Sequence, residues 1–430
     1  MRPLLRTPDR SHPRVISVAL FLFCLPIAGQ PLLAQVSPPA TEWTTVYGTP
    51  EYENDGELAI DSNRNLFAVG STLGSYPGQT SAGNTDATLV KFDSRGRQLW
   101  VRQWGGDQSD VAVGVDTDVF GNAYVTGWFL DSTTNANAGF LRKFNASGDC
   151  CWSHKFIVAV GASGDDVTVW RNRFVYVCGL AGRPSLPGGN SFGFISKYDV
   201  LGRHYWTKTI GDPRPGALVH PSSLVTDAVG NIYVTGATYD TLNGQPVVKW
   251  GDAFVVKYDT SGRECWTRTW GTDADEWTRG ICLDCAGNIY LTGGARKWSN
   301  PARQPPVDRD DRTQLEALRT ESQDYWAFVV QLDSQGTFQW ESRINRTDDA
   351  INVAADRCGR LYLSGFGFAA RMSGSPAQLD WKIRAPAFNH GLVLDPAGAV
   401  YLHGDTEVPW NGQPLIGKRD GVLIKLSQTP

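Results

Sequence analysis

Short runs in which apolar and polar residues alternate, each closed by Gly or Asp, fill the chain from residue 43 onward. Period-two alternation rich in β-branched and aromatic side chains is the mark of a strand with one buried face. One such piece recurs seven times: Phe67-Ala-Val-Gly70, Tyr124-Val-Thr-Gly127, Tyr176-Val-Cys-Gly179, Tyr233-Val-Thr-Gly236, Tyr290-Leu-Thr-Gly293, Tyr362-Leu-Ser-Gly365 and Tyr401-Leu-His-Gly404. A second strand, also in seven copies, ends in a long residue, an apolar one and a small polar one, as in Lys91-Phe-Asp93, Lys257-Tyr-Asp259 and Lys425-Leu-Ser427. A third opens on Trp43, Trp100, Trp152, Trp206, Trp266, Trp340 and Trp381. Upstream of each Tyr strand lies an apolar run closed by Asp, as in Val225-Thr-Asp227.

Each unit therefore offers four short strands joined by tight turns. In Asp227-Ala-Val-Gly-Asn231 and Asp259-Thr-Ser-Gly262 the Asp carboxylate can accept backbone N–H bonds, and Gly supplies the left-handed residue. A lone four-stranded meander cannot bury both faces, so neighbours must stack. Radial stacking of seven units predicts an all-β, seven-bladed β-propeller of four-stranded antiparallel blades spanning 43–430. A solenoid would need capping units, and none is visible. The sixth unit is the least regular, its third strand (Phe368 to Ser373) departing from the pattern. The chain ends after Lys425-Leu-Ser427 without a Trp strand, while Trp43 opens a strand with no blade before it. The N-terminal strand is thus expected to complete the C-terminal blade, which also removes two unpaired sheet edges.

The segments Gly-Asn-Ile-Tyr-Val-Thr-Gly (230–236), Asp-Ala-Phe-Val-Val-Lys-Tyr-Asp (252–259) and Ser-Gly-Arg-Glu-Cys-Trp (261–266), with Trp-Gly at 270–271, resemble the bacterial seven-bladed beta-propeller repeat (SBBP) family. The likeness runs over 43–430, most clearly in blades two, four and five. It implies a secreted or surface propeller and supplies no catalytic residues. More distantly the chain is similar to the quinoprotein propellers. The vicinal pair Cys150-Cys151 invites a cofactor reading of that kind, but it stands at a hairpin ahead of Trp152, away from the axis. No cofactor is expected.

Composition agrees with the repeats: 46 Gly, 24 Pro, 16 Trp and 2 Met among 430 residues suit neither a helix bundle nor a membrane span. Arg2, Arg6, Arg10 and Arg14 precede an apolar run from Val15 to Ala28, with small residues after it. That is the pattern of a secretory signal (1–34) cut near Ala34 and followed by a short linker (35–42). It predicts a secreted, periplasmic or cell-surface protein. The mature body is mildly acidic, which argues against nucleic acid, and no later segment could insert in a membrane. A monomer is expected.

Candidate chemistry is sparse. The loops between second and third strands share a face with the blade-to-blade crossings, and that face holds the length variation, including a polar insertion in blade five (297–324). Aromatics recur there: Tyr76, Trp128, Phe129, Tyr239, Trp250, Trp298 and Trp410. They are either stacking platforms for a glycan or peptide, or rings folded back over the blade tops. Asn243-Gly-Gln-Pro246 returns as Asn411-Gly-Gln-Pro414. Asp116-Thr-Asp118 and the acids Asp308, Asp310 and Asp311 lack the ligand spacing of a calcium loop, so no metal is expected. Cys282-Leu-Asp-Cys285 is half a zinc site at most. The reading is an interaction scaffold with an unknown protein or glycan partner on the loop face and no evident catalytic activity. The rivals are a lectin-like propeller and an enzyme with a dispersed site in the axial funnel, a quinoprotein being the weakest of these.

Overall fold

The computed structural model describes residues 37–427 apart from 157, 159–160, 183–190, 215–216, 249–250, 298–323, 345–348 and 387. The signal segment and most of the blade-five insertion lie outside these residues. The described residues form 28 strands in seven four-stranded antiparallel sheets. Blade four is representative, with strands Val219–Thr226, Ile232–Thr238, Asp252–Tyr258 and Glu264–Trp270. The first strands touch one another in sequence all the way round, blade seven meeting blade one, so they line the axis and the Trp strands form the rim. Blade six is regular in spite of its sequence: its third strand, Phe368–Gly374, pairs with both neighbours.

The repeated residues explain why each unit closes. In blade four the Asp227 carboxylate accepts the Val229 and Asn231 backbone N–H groups at 3.0 and 2.9 Å on one oxygen. The other oxygen takes the Asn231 side-chain amide at 2.7 Å and the Tyr233 hydroxyl at 3.3 Å, while Gly230 turns the chain at φ 94°. The Tyr ring can be buried because its one polar atom finds this carboxylate. Lys257 lies over that ring at 4.9 Å, and Trp266 approaches it edge-on at 6.0 Å.

The same residues lock one blade to the next. Lys91 Nζ and Trp100 Nε1 both donate to the Ala146 carbonyl in the outer hairpin of blade two. Lys143 and Trp152 do likewise at Val200 of blade three. The ring of Trp266 fills the place where a Cβ on Gly336 of blade five would stand, so this glycine is required by the preceding blade as well as by its φ of 77°.

Closure follows the expectation. The N-terminal strand, Thr41–Tyr47, is antiparallel to Asp420–Leu426 and forms the outer edge of blade seven. It begins inside the segment assigned from sequence to a linker, because Thr41 and Glu42 already pair with or bridge to the last strand: Thr41 faces Leu426, and Glu42 forms an ion pair with Lys425 at 2.6 Å. Ala40 and Ser427 exchange two hydrogen bonds just beyond it.

Candidate functional site

The loop-face aromatics do not form an open ring of platforms. Tyr76 is 2% exposed in the core between blades seven and one, and Trp410 is 9% exposed against blade seven, with Arg384 over it. Tyr239 packs beside Trp277 and Tyr325. Trp128 and Phe129 are not in a loop: the second strand of blade two runs on to Asp131, pairing them with Gly139 and Ala138. Phe129 leans on the core and Lys155 covers it. Trp250 and Trp298 lie outside the described residues. The echoed tetrapeptides form matching two-residue turns, with Asn243 and Gly244 at φ 49° and 81° and Asn411 and Gly412 at 47° and 79°. Both fold back onto the blade edge, Asn243 bonding Glu264 and Thr267 and Asn411 bonding Thr44. Repeat ancestry explains that echo.

Of the two calcium candidates, Asp118 caps a turn as Asp227 does, and the 308–311 acids lie outside the described residues. Among the described residues the seven cysteines are free, and no three His, Cys, Asp or Glu side chains are placed to hold a metal.

Two features that the sequence did not reveal stand out. The first is an axial collar. The first strand is bulged at the same place in six blades, beside Glu57, Val113, Ser222, Arg279, Ile351 and His390. Bulges re-aim side chains and gather near functional sites. The collar is acidic on one side. Glu57 accepts the Val115 N–H of blade two, Asp116 accepts the Val169 N–H of blade three at 2.7 Å, and Asp166 accepts Ser223 and Leu224 of blade four, each at 2.8 Å. Burial raises Asp116 and Asp166 to about 6, and burial with the Asp166 charge raises Glu57 well above the ordinary carboxylate range. Opposite them, Arg279 lies 3.8 Å from the buried Asp349.

The second feature is on the other face, where the tight hairpins lie. Turn tips that are small or polar in most blades (Asn63, Asn172, Ala286, Arg95, Ser147, Ser261) are apolar at Phe120, Leu201 and Val229. These three are 71%, 81% and 68% exposed, with Val119 and Tyr205 beside them at 54% and 48%. The inner turns of blades two, three and four are tied together, Asn172 accepting the Val119 N–H and Arg171 donating to the Ala228 carbonyl.

Comparison with known proteins agrees with this architecture. Residues 206–242, from the outer strand of blade three into blade four, match the beta-propeller repeat family, SBBP. A 169-residue stretch is 24% identical to an uncharacterized WD repeat-containing protein of Acanthamoeba polyphaga mimivirus, covering 31% of this chain and only 12% of that protein. A catalytically inactive virginiamycin B lyase from Staphylococcus aureus, solved with quinupristin, superposes with a TM-score of 0.51 at 10% identity over 89% of this chain and 98% of its own. A structure described as YCF48 bound to D1 peptide gives 0.50 at 9% identity, over 92% and 98% of the two chains. At these identities the likeness is one of fold alone.

Proposed function

We propose that this protein is an exported interaction platform that docks a partner protein on its hairpin face, across the turn tips of blades two to four. The observation that carries the reading is the exposure of Phe120, Leu201 and Val229 on hydrogen-bonded turns, where other blades present small or polar residues. A rigid apolar patch of this kind costs solubility and gains affinity only when something covers it. Export rests on the arginine-flanked apolar run that ends before Ala34.

The test compares the tagged chain with F120S/L201S/V229S and with V248S/V408S/I416S, which alters exposed apolar residues on the opposite face. Partner capture from the extracellular fraction of the producing cells, read by cross-linking mass spectrometry, should be lost in the first variant and kept in the second, at equal melting temperatures. Equal capture by both variants overturns the hairpin-face assignment.

A second reading is favoured by the axial collar: a small-molecule site that uses Glu57 and Asp166 as an acid–base pair. Two carboxyls from different blades, hydrogen-bonded to each other and raised by burial, are a common sign of such chemistry. Under that reading E57Q abolishes ligand binding while the hairpin-face variant retains it.

A further inference from the structure

The inner turn of a blade joins its first strand to its second, and a side-chain pair locks it in blades one, two, four and five. An Asn amide donates to the turn's Asp carboxylate in Asp61–Asn65 and Asp284–Asn288 at 2.8 Å, and in Asp118–Asn122 and Asp227–Asn231 at 2.7 Å. Blade three has a turn of the same length with Trp170 and Phe174 at these two places. Their rings stack instead, with centroids 6.2 Å apart and planes 10° from parallel. The turn keeps a closing contact and loses its carboxylate, and the residues between the two rings are Arg171, Asn172 and Arg173.

The outer turn of blade three departs from its counterparts in the same sense. In blades one and four the guanidinium of Arg97 or Arg263 folds onto the turn's own Asp93 or Asp259, at 3.1 and 3.0 Å. Arg203 holds the equivalent place after Asp199, yet its guanidinium lies 5.6 Å over the Tyr205 ring. Asp199 is the one carboxylate in the two turns, and it accepts the Leu201 and Arg203 backbone N–H groups at 3.0 and 2.9 Å. The Val200 N–H donates to the Arg173 carbonyl at 3.2 Å, which ties the outer turn to the inner one.

Together the two turns build a ladder of rings and cations. Arg171 stands 5.2 Å over Trp170, Arg173 stands 4.9 Å over Phe174, and the Phe174 ring meets Tyr205 edge-on at 5.5 Å. Lys197 also lies over Phe174, at 3.8 Å, and donates to the Thr260 carbonyl. Arg171, Arg173 and Arg203 are exposed, and among the described residues no carboxylate pairs with any of them. A guanidinium laid on a ring is held in orientation, and its N–H fork is ready for a planar, bidentate acceptor. Arg171 donates to the Ala228 carbonyl, next to the exposed Val229, and Arg203 follows the exposed Leu201 by two residues. Fixed cations and apolar tips therefore share one surface.

We propose that the partner docks through an acidic segment carrying large apolar side chains, its carboxylates pairing with Arg171, Arg173 and Arg203 while its apolar groups cover Phe120, Leu201 and Val229. This inference rests on the hairpin-face reading and names the chemistry of the partner. Charge complementarity selects the occupant. The chain carries a net charge of −4, so cations left unanswered on one blade are a local departure from its balance. A wholly apolar segment would cover the tips but desolvate three guanidinium groups without partners. A sulfated polysaccharide would answer the arginines and leave the apolar tips in water. Only a segment with both kinds of group satisfies the whole surface.

The experiment selects random dodecapeptides displayed on phage against the immobilised full chain. Enriched peptides are then measured by fluorescence anisotropy against the native chain, R171Q/R173Q/R203Q and F120S/L201S/V229S. Selection should enrich Asp and Glu together with Leu, Phe or Trp, and the enriched peptides should bind the arginine variant about tenfold more weakly or worse. Enrichment of no peptide, of peptides without excess acid, or of peptides that bind the arginine variant equally well overturns the inference. Peptides without excess acid that still lose affinity for F120S/L201S/V229S overturn it while sparing the hairpin-face reading. Peptides that bind F120S/L201S/V229S as tightly as the native chain overturn both. Heparin is the second probe, and tighter binding of heparin than of the peptides, indifferent to F120S/L201S/V229S, overturns the inference in favour of a polysaccharide. Should the triple arginine variant melt below the native chain, R173Q/R203Q is read in the same way, since those two side chains make no hydrogen bond among the described residues.

Discussion

Trp43, near the start of the N-terminal strand, is paired in register with Lys425 of the last strand, and its ring packs against Gly96 in the outer hairpin of blade one. One residue thereby joins both chain ends and the first blade. The same strand carries Tyr47, whose hydroxyl lies 2.6 Å from His403 Nε2 of blade seven and 3.2 Å from Asp55 of blade one. Closing the ring is therefore a packing and hydrogen-bonding event across three strands.

Deleting residues 41–47 should abolish cooperative unfolding, because it strips blade seven of its outer strand and leaves His403 and Asp55 without Tyr47. Differential scanning calorimetry reads this as a broadened or absent transition. An unchanged sharp peak would mean that the strand is an appendage.

The rim tryptophans should differ in worth. Trp381 is 5% exposed, and Trp381→Ala should cost about 3–5 kcal/mol by denaturant titration. Trp266, at the same place on the outer strand of blade four, is only half-buried, although the sequence pattern makes the two look alike. Trp266→Ala should cost about 2 kcal/mol, less than the full-burial figure.

The turn carboxylates are the repeat's local fasteners. Asp227→Ala removes the acceptor for four donors, two of them backbone N–H groups, and should cost about 2–3 kcal/mol. Tyr233→Phe removes a single long bond and should cost about 1 kcal/mol or less.

Asp116 supplies a pH signature. Burial raises it from 3.8 to about 6, so its contribution is complete below 3.8 and is lost as pH rises through about 6. Asp116→Asn keeps an oxygen acceptor for the Val169 N–H. The melting temperature of this variant should fall less between pH 4 and pH 6 than that of the native chain; a parallel fall would place the titration elsewhere.

The fold was legible because every blade repeats the same physical problem. Asp227, Gly230 and Tyr233 are one hydrogen-bonded unit, Lys257 covers its ring and Trp266 joins it to Gly336 of the next blade, so the residues that recur in sequence are those that touch in space. The functional surface was less legible. Tyr76 and Trp410 lie between strands, where the alternation does not separate a stacking platform from a ring folded back, and the blade tops take both rings as apolar cover. The bulges beside Glu57 and Arg279 add one residue to a strand without changing its composition, so they leave no trace in the alternation. Phe120 and Leu201 sit in Asp-x-x-Gly turns whose signature fixes the backbone and says nothing about the variable tip.

Hydrogen exchange on the Thr41–Tyr47 peptide tests the closed ring most directly. Amides bonded to Asp420–Leu426 should exchange only through global unfolding, at the rate of the buried strand Ile232–Thr238. Exchange at the rate of a free peptide would show that the two ends are not joined.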